Sequence, residues 1–243
     1  MKPADILRGV LFAMVTILFL SACGRDVATL RGSGKVIRDN RPVEPFTEIE
    51  VGSGIEVRIQ QGATAAVAVI ADDNIARHVV TEVDGKVLKI SFANFSFVSG
   101  TEIRVDVTAT DLQKIRSGSG ASVRTDGVLN QPRIHLEASG GSTIDAEIET
   151  EFLSAETNAG STIELGGKAL RSTFSSAGGS TIEAGDLLSN EIETDASSGS
   201  SITVQPVLSL TAEASSGSSI YYTRIPKNEL SQKEHSGGTI SKQ

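Results

Sequence analysis

Apolar and polar positions along this chain follow two rhythms. From residue 46 to about 116 they alternate over short runs. Ile49, Val51, Ile55, Val57 and Ile59 read as a half-buried strand, Val67, Val69 and Ala71 as a second, and Ile103, Val105 and Val107 as another. Asp72-Asp73-Asn74 predicts the cap of a short helical turn carrying Ile75, Val79 and Val80. Asp84-Gly85, between Val83 and Val87, predicts a two-residue hairpin turn. Phe92 to Gly100 reads as a loop with Phe95 and Phe97 exposed, or as a small plug over an open end.

From Ser139 onward the alternation acquires a period. Ser-Gly-Gly-Ser-Thr-Ile ending at Ile144 returns, with small changes, at Ile163, Ile182, Ile202, Ile220 and Ile240, in steps of 19, 19, 20, 18 and 20 residues. A weaker copy ends at Val123, and in every copy a glycine stands three residues before the aliphatic one. A unit this short cannot bury a face alone, so copies must stack. The segments lack long apolar runs at helical spacing, which leaves a parallel β-solenoid with two or three short strands and tight corners per coil. The Ile positions then form an inward column, and the glycine marks a corner. A second column runs through Ile134, Leu153, Ile192, Leu210 and Leu230; Ser172 breaks it, with Leu170 or Phe174 to fill the gap. A Gly/Ser linker would have no reason to hold Ile at a fixed phase. Ile49 to Val57 aligns with Ile115 to Val123 through Gly-Ser-Gly in both. The first region therefore contributes coils to the same stack, with hairpin insertions; a separately folded sheet is the alternative.

The N-terminus changes the picture of where this fold resides. A short charged start, an apolar run of 11 residues from Val10 to Leu20, and small residues ahead of Cys23 form a secretory signal, too short for a comfortable membrane span. Leu20-Ser21-Ala22-Cys23 resembles the lipobox of bacterial lipoproteins, which implies acylation of Cys23 and a membrane partner through that lipid. Gly24 rather than Asp after the cysteine implies, by the same resemblance, the outer membrane. Cys23 is the only cysteine, so no internal disulfide exists. The organisation is a signal peptide at 1–22, a tether at 23–44, a β-rich part at 45–116 and a repeat part at 117–243.

The formal net charge is −8, and −9 once residues 1–22 are removed. An acidic surface argues against nucleic acid and anionic headgroups as partners. The acidic residues fall into rows: Glu137, Glu156, Asp195 and Glu213, interrupted by Ser175, and Asp145, Glu164 and Glu183. Stacked near 5 Å, like charges repel by about 1 kcal/mol per pair even in water. Such rows could take up Ca²⁺ or meet a basic partner, or splay into solvent and pair with Lys and Arg; the repeats lack the Gly-Gly-x-Gly-x-Asp pattern of calcium-binding solenoids.

His78, His135 and His235 lack metal-motif spacing, and no nucleophile elbow is present. No metal, cofactor or catalytic residue is expected. Sugar sites want aromatic platforms, and in the repeats only one of Tyr221 and Tyr222 can face outward. A Thr/Ser row (Thr143, Thr162, Thr181, Ser201, Ser219, Thr239) reads as a hydroxyl ladder along the stack rather than an ice-binding face, which would want two outward Thr columns.

Phe46-Thr47-Glu48-Ile49-Glu50-Val51, Ser53-Gly54, Val57 to Gly62, Asp72 to Ile75, Thr81 to Ile90 and the Ser-Gly-Gly-Ser-Thr-Ile copies resemble the bacterial head GIN domain family, catalogued among autotransporter adhesins, over roughly Phe46 to Ile220. The resemblance implies an all-β, right-handed parallel β-helix and a cell-envelope location, and supplies no catalytic residues. The expectation is a non-catalytic envelope lipoprotein presenting a β-helix surface to a protein or glycan. The alternatives are a periplasmic scaffold or stress sensor, and a polysaccharide-active β-helix enzyme. Homo-oligomerisation through the last coil is open, since Ser241-Lys242-Gln243 gives little to cover it.

Overall fold

The computed structural model describes residues 29–93, 97–99 and 102–243. The expected leader, Cys23 and Phe95 lie outside them. The described chain is a parallel β-solenoid of about six turns with coils of roughly 20 residues. Among the described residues no helix is long and apolar enough to cross a membrane.

The N-terminal half builds the base of the stack. Strands β1 (Thr29–Arg31) and β2 (Val36–Arg41) fall in the stretch expected to be a tether. The Asp72-Asp73-Asn74 turn fastens this stretch: Asn74 Oδ1 accepts from the Ser33 amide, Asn74 Nδ2 donates to the Arg31 carbonyl, and the Ser33 hydroxyl donates to Asp73. The sequence run from Ile49 to Ile59 divides into β3 (Glu48–Val51) and β4 (Glu56–Gln61) around a corner, with all five aliphatics buried. After β5 (Ala66–Asp72), helix α1 (Asp73–Ala76) is a single turn; Ile75 is buried beneath it, whereas Val79 and Val80 belong to β6 (Val79–Asp84). β6 forms an antiparallel hairpin with β7 (Val87–Phe92) around Gly85 and Lys86, one residue later than the sequence suggests, because Asp84 still pairs with Val87. The short β8 (Phe97–Ser99) pairs with β1, and β9 (Arg104–Ala109) lies parallel to β4 and antiparallel to β5. β10 (Lys114–Ser117) lies parallel to β3, with Ile115 opposite Ile49. The first region therefore shares one hydrogen-bonded sheet with the repeats.

The repeats contribute β11 (Ser122–Ala138), β12 (Thr143–Thr157), β13 (Thr162–Ser176), β14 (Thr181–Ala196) and β15 (Ser201–Ala214), followed by β16 (Ser219–Tyr222), β17 (Glu229–Glu234) and β18 (Thr239–Lys242). Each full coil is one long bent strand with a single tight corner, not several short strands. The hydrogen-bond ladder continues around the gentle bend, where local register shifts absorb the curvature. The Ile column is in register throughout, Val57–Val123–Ile144–Ile163–Ile182–Ile202–Ile220–Ile240, and buried at every level. Each such side chain contributes about 1.5–3 kcal/mol of burial. In the second column Ser172 is buried and donates to Ser189 Oγ at 2.9 Å, which in turn donates to the Glu191 carbonyl. Phe174 supplies the missing volume, flanked by the small Ala155 and by Thr194, while Leu170 is 53% exposed.

Each tight corner is a pair of residues with positive φ, such as Ala159 (52°) and Gly160 (72°). The buried hydroxyl ladder lies one residue before the expected Thr row. Ser142, Ser161, Ser200 and Ser218 each donate to a carbonyl of the preceding coil at 2.7 Å. These bonds tie each corner to the coil beneath it and satisfy groups that would otherwise be buried without partners.

Candidate functional site

The long arms of β11 to β14 present three parallel outward rows to solvent. Alternation of the pleat sends Ile134, Leu136, Leu153 and Ala155 inward, so the residues between them face out. The first row is Arg133–Phe152–Arg171–Glu191, the second Lys114–His135–Ser154–Thr173–Glu193, and the third Arg116–Glu137–Glu156–Ser175–Asp195–Glu213–Lys233. The middle row carries small hydroxyl residues at its centre and floors a shallow trough of about 580 Å³, bounded by the first row on one side and by Glu48, Gln113 and Lys114 at its basal end. One wall is aromatic and cationic: the Arg133 guanidinium lies 4.7 Å from the Phe152 ring centroid and that of Arg171 lies 5.7 Å from it. Phe152 is 36% exposed. Glu48 is the carboxylate of the lining, and the acidic third row runs beside the trough, tied to it where Glu137 bonds Lys114 and His135.

The structure places the predicted acidic residues in two rows as the repeat register requires, and adds what the repeat alone does not reveal. The first row opens on Arg116 and closes on Lys233. The second, Asp145–Glu164–Glu183, opens on Arg58 and Arg124 and continues into Thr203 and Tyr221. Arg124 pairs with Asp145 at 2.9 Å. Tyr221 is the outward tyrosine; Tyr222 is buried. The rows are thus neutralised at their basal ends and remain acidic further along the stack.

Glu137 is the most engaged of these carboxylates. It bonds Lys114, accepts from His135 Nε2 at 2.6 Å and lies 3.5 Å from Arg116 Nε. Arg116 in turn reaches Glu48 at 2.7 Å. Burial pushes the Glu137 carboxyl up, but the hydrogen bonds from Lys114 and His135 outweigh it and hold the group below the ordinary glutamate range. His135, Glu137 and Glu156 bring their ligand atoms within 4.8 Å of one another. The Lys114 ammonium sits on the same Glu137 oxygen that bonds His135, so this cluster already has its cation and does not suit a metal. Sequence reasoning missed Phe152 and its flanking arginines. The signal was present, an aromatic residue in register with Arg133 and Arg171 at repeat spacing, but a search restricted to Tyr and Trp passed over it.

A family model described as "Putative auto-transporter adhesin, head GIN domain" matches residues 45–226. The chain belongs to that family. No curated protein matches it. Among solved structures, a "putative adhesin" from Bacteroides fragilis NCTC 9343 superposes with a TM-score of 0.82 at 22% identity, covering 88% of this chain and 100% of the other. A "putative lipid binding protein" from Parabacteroides distasonis ATCC 8503 gives 0.71 at 21% identity, covering 89% and 100%. A "putative adhesin" from Parabacteroides merdae ATCC 43184 gives 0.70 at 18%, covering 88% and 99%. At these identities the likeness is one of fold, and the head GIN family carries the envelope and adhesin-like association.

Proposed function

We propose that this head GIN protein is an exported lipoprotein, anchored through Cys23 to the outer membrane, whose role is non-catalytic binding of an extended glycan or protein segment along its lateral face. The trough along the Arg133–Phe152–Arg171 wall, with Lys114 and Glu48 at its basal end, carries the reading. Its floor of Ser154 and Thr173 offers hydroxyls, its walls offer both charges, and a rigid stack preorganises them along the long axis. The state of Glu137 supports binding over hydrolysis. A general acid needs a carboxyl raised towards neutrality, whereas ion pairing holds this one ionised. The acidic rows further up the stack disfavour nucleic acid as the ligand.

The strand at Thr29 gives the proposed anchor a geometric consequence. Six residue steps separate Cys23 from Thr29, a reach of at most about 20 Å. A lipidated chain would therefore stand with its base close to the bilayer and its acidic coils outward. The reading is tested by treating intact cells with a non-penetrating protease beside a periplasmic control, and by screening glycans and peptides against the purified protein and Phe152→Ala. Cleavage in intact cells, with a ligand lost on Phe152→Ala, is the expected result. Protection until the outer membrane is broken overturns surface adhesion in favour of a periplasmic scaffold. Ligand binding indifferent to Phe152 overturns the trough.

A further inference from the structure

On the other side of the base, three guanidiniums converge on one groove. Strands β2, β5, β9 and β4 lie side by side in that order, with Asn40, Ala68, Asp106 and Arg58 opposite one another and Arg38, Ile70, Arg104 and Glu56 in the next rank. β5 contributes only Ala66 and Ala68 to the outer face at this level. Their small side chains leave a groove of about 550 Å³ between Arg38 and Asn40 on one side and Arg58 and Arg104 on the other, with Arg41 at its edge. The lining holds four arginines against two carboxylates, Asp106 and Asp126. This concentration stands out on a chain with net charge −8.

The local bonding leaves donors to spare. Asp106 is shared by Arg38 at 2.7 Å and Arg104 at 3.0 Å, so one carboxylate holds two guanidiniums. Arg58 spends its Nε on Glu56 at 2.8 Å, and that pairing raises the guanidinium still further above its ordinary value. Arg41 is held by Asp39 at 2.9 Å and by the Ala76 carbonyl at 3.0 Å. Its Nε–H is buried with no hydrogen-bond partner. A guanidinium carries five N–H donors in a rigid fork suited to planar oxyanions, and a buried donor without an acceptor is costly. Three pre-oriented forks, those of Arg38, Arg58 and Arg104, and an open floor amount to an oxyanion cradle, whereas Arg41 is in register with the buried Val67 and spends its fork on Asp39 and Ala76. Beside the arginines, the side-chain amides of Asn40 and Gln60 also line the groove, as hydroxyl recognition would require.

We infer that this basal groove binds an acidic saccharide, its carboxylate or sulfate held by Arg38, Arg104 and Arg58 and its ring hydroxyls facing Asn40 and Gln60. The site is separate from the trough of β11 to β13 and stands or falls independently of it.

Isothermal titration of the purified protein with sulfated and uronic acid tetrasaccharides, a neutral tetrasaccharide and phosphatidylglycerol vesicles tests the assignment. Binding of an acidic tetrasaccharide, absent for the neutral one and weakened by salt, is expected. Arg104→Ala and Arg38→Ala should each weaken it at least tenfold. Ala66→Leu should do the same by filling the floor while leaving every ion pair in place, and it decides the matter if an arginine variant fails to fold. Ile225→Ser, at an exposed position outside both the groove and the trough, should leave the affinity unchanged. The assignment is overturned if neither acidic saccharide binds, if the neutral one binds equally, or if Ala66→Leu and Arg104→Ala bind as the parent does. Binding to vesicles alone overturns the saccharide and gives the groove to lipid headgroups.

Discussion

Three glycines of one coil make a graded test of how this solenoid closes. At Gly166 an added Cβ would run into the carboxylate of Glu147, the exposed end of a flexible side chain that can swing away. The strain is small, and alanine also removes the extra chain entropy of glycine, worth about 0.5–1 kcal/mol, so Gly166→Ala should be close to neutral. At Gly160, φ is 72° and nothing lies within 4 Å of the added atom. The cost is then the left-handed backbone alone, about 1–2 kcal/mol less the entropy gain; Ala159 next to it already bears φ 52°. At Gly167, φ is 104° and the Cβ would overlap the backbone carbonyl of Ile148 on the coil beneath. No rotamer relieves that contact, because Ile148, Gly167 and Leu187 are consecutive rungs of the ladder. Strain in a region reserved for glycine, added to a backbone overlap, should cost about 3 kcal/mol or more. For a chain of this size about 1 kcal/mol corresponds to roughly 2–4 °C in Tm. Thermal unfolding followed by circular dichroism should thus give no change for Gly166→Ala, a drop of a few degrees at most for Gly160→Ala, and roughly 6–12 °C for Gly167→Ala. A Gly167→Ala protein melting within about 2 °C of the parent, below the roughly 1 kcal/mol that shift represents, would refute the account. So would Gly166→Ala falling as far as Gly167→Ala.

Three further outcomes follow from the interior and the trough. Phe174→Ala should cost about 3–5 kcal/mol. Adding Ser172→Leu should recover most of that loss, because Leu at this level with Ala two residues on is the arrangement at Leu153/Ala155 and Leu210/Ala212; unfolding in denaturant measures both, and a double variant no better than the single one sinks the volume argument. Thr194 Oγ1 is buried without a hydrogen-bond partner, so Thr194→Val should leave stability unchanged or raise it by up to about 1 kcal/mol, read as an equal or higher Tm, and a clear fall would mean the hydroxyl is bonded. Glu137 has a lowered folded-state pKa, so the stability it contributes is full above the unfolded glutamate range and fades as pH falls through the folded value. The Tm difference between the parent and Glu137→Gln should therefore be largest near neutrality and close on acidification; a gap that persists in acid would remove the ion pairs as its cause.

Much of the fold was legible because the repeat fixes phase. One period of about 20 residues assigned Ile144, Ile163, Ile182, Ile202, Ile220 and Ile240 to a single column and placed the acidic rows on the outside, and the register agrees residue for residue. The errors share a cause. Strand count per coil depends on whether the ladder survives a bend, which local register shifts between neighbouring coils allow and hydropathy does not show. The stretch 29–41 has a polar pattern because β2 is an edge strand over β5, and its hold on the fold comes from Ser33, Asp73 and Asn74, contacts some 40 residues apart in sequence. The basal arginine groove was invisible for a similar reason. Its arginines lie on β2, β4 and β9 of the non-repeating part, brought together through antiparallel pairing with β5 that no period announces.

The ends of the stack bear on where binding can occur. At the base, antiparallel strands β2, β5 and β6 replace the open face of a parallel coil. At the other end, Thr239 donates its amide to Ser218 of the preceding coil at 3.0 Å. Alternation along the strand then turns the next amide, that of Ile240, towards the open edge. The Glu234 carboxylate folds over and takes that amide at 2.6 Å. Neighbouring β17 adds Glu229, Gln232 and Lys233, exposed along the second edge. Charges and a satisfied edge amide are what keep a strand from accepting another. Any chain adding to this end, a second copy included, must first displace Glu234 and desolvate its charge. The lateral faces carry no such guard, and both the trough and the arginine groove lie on them.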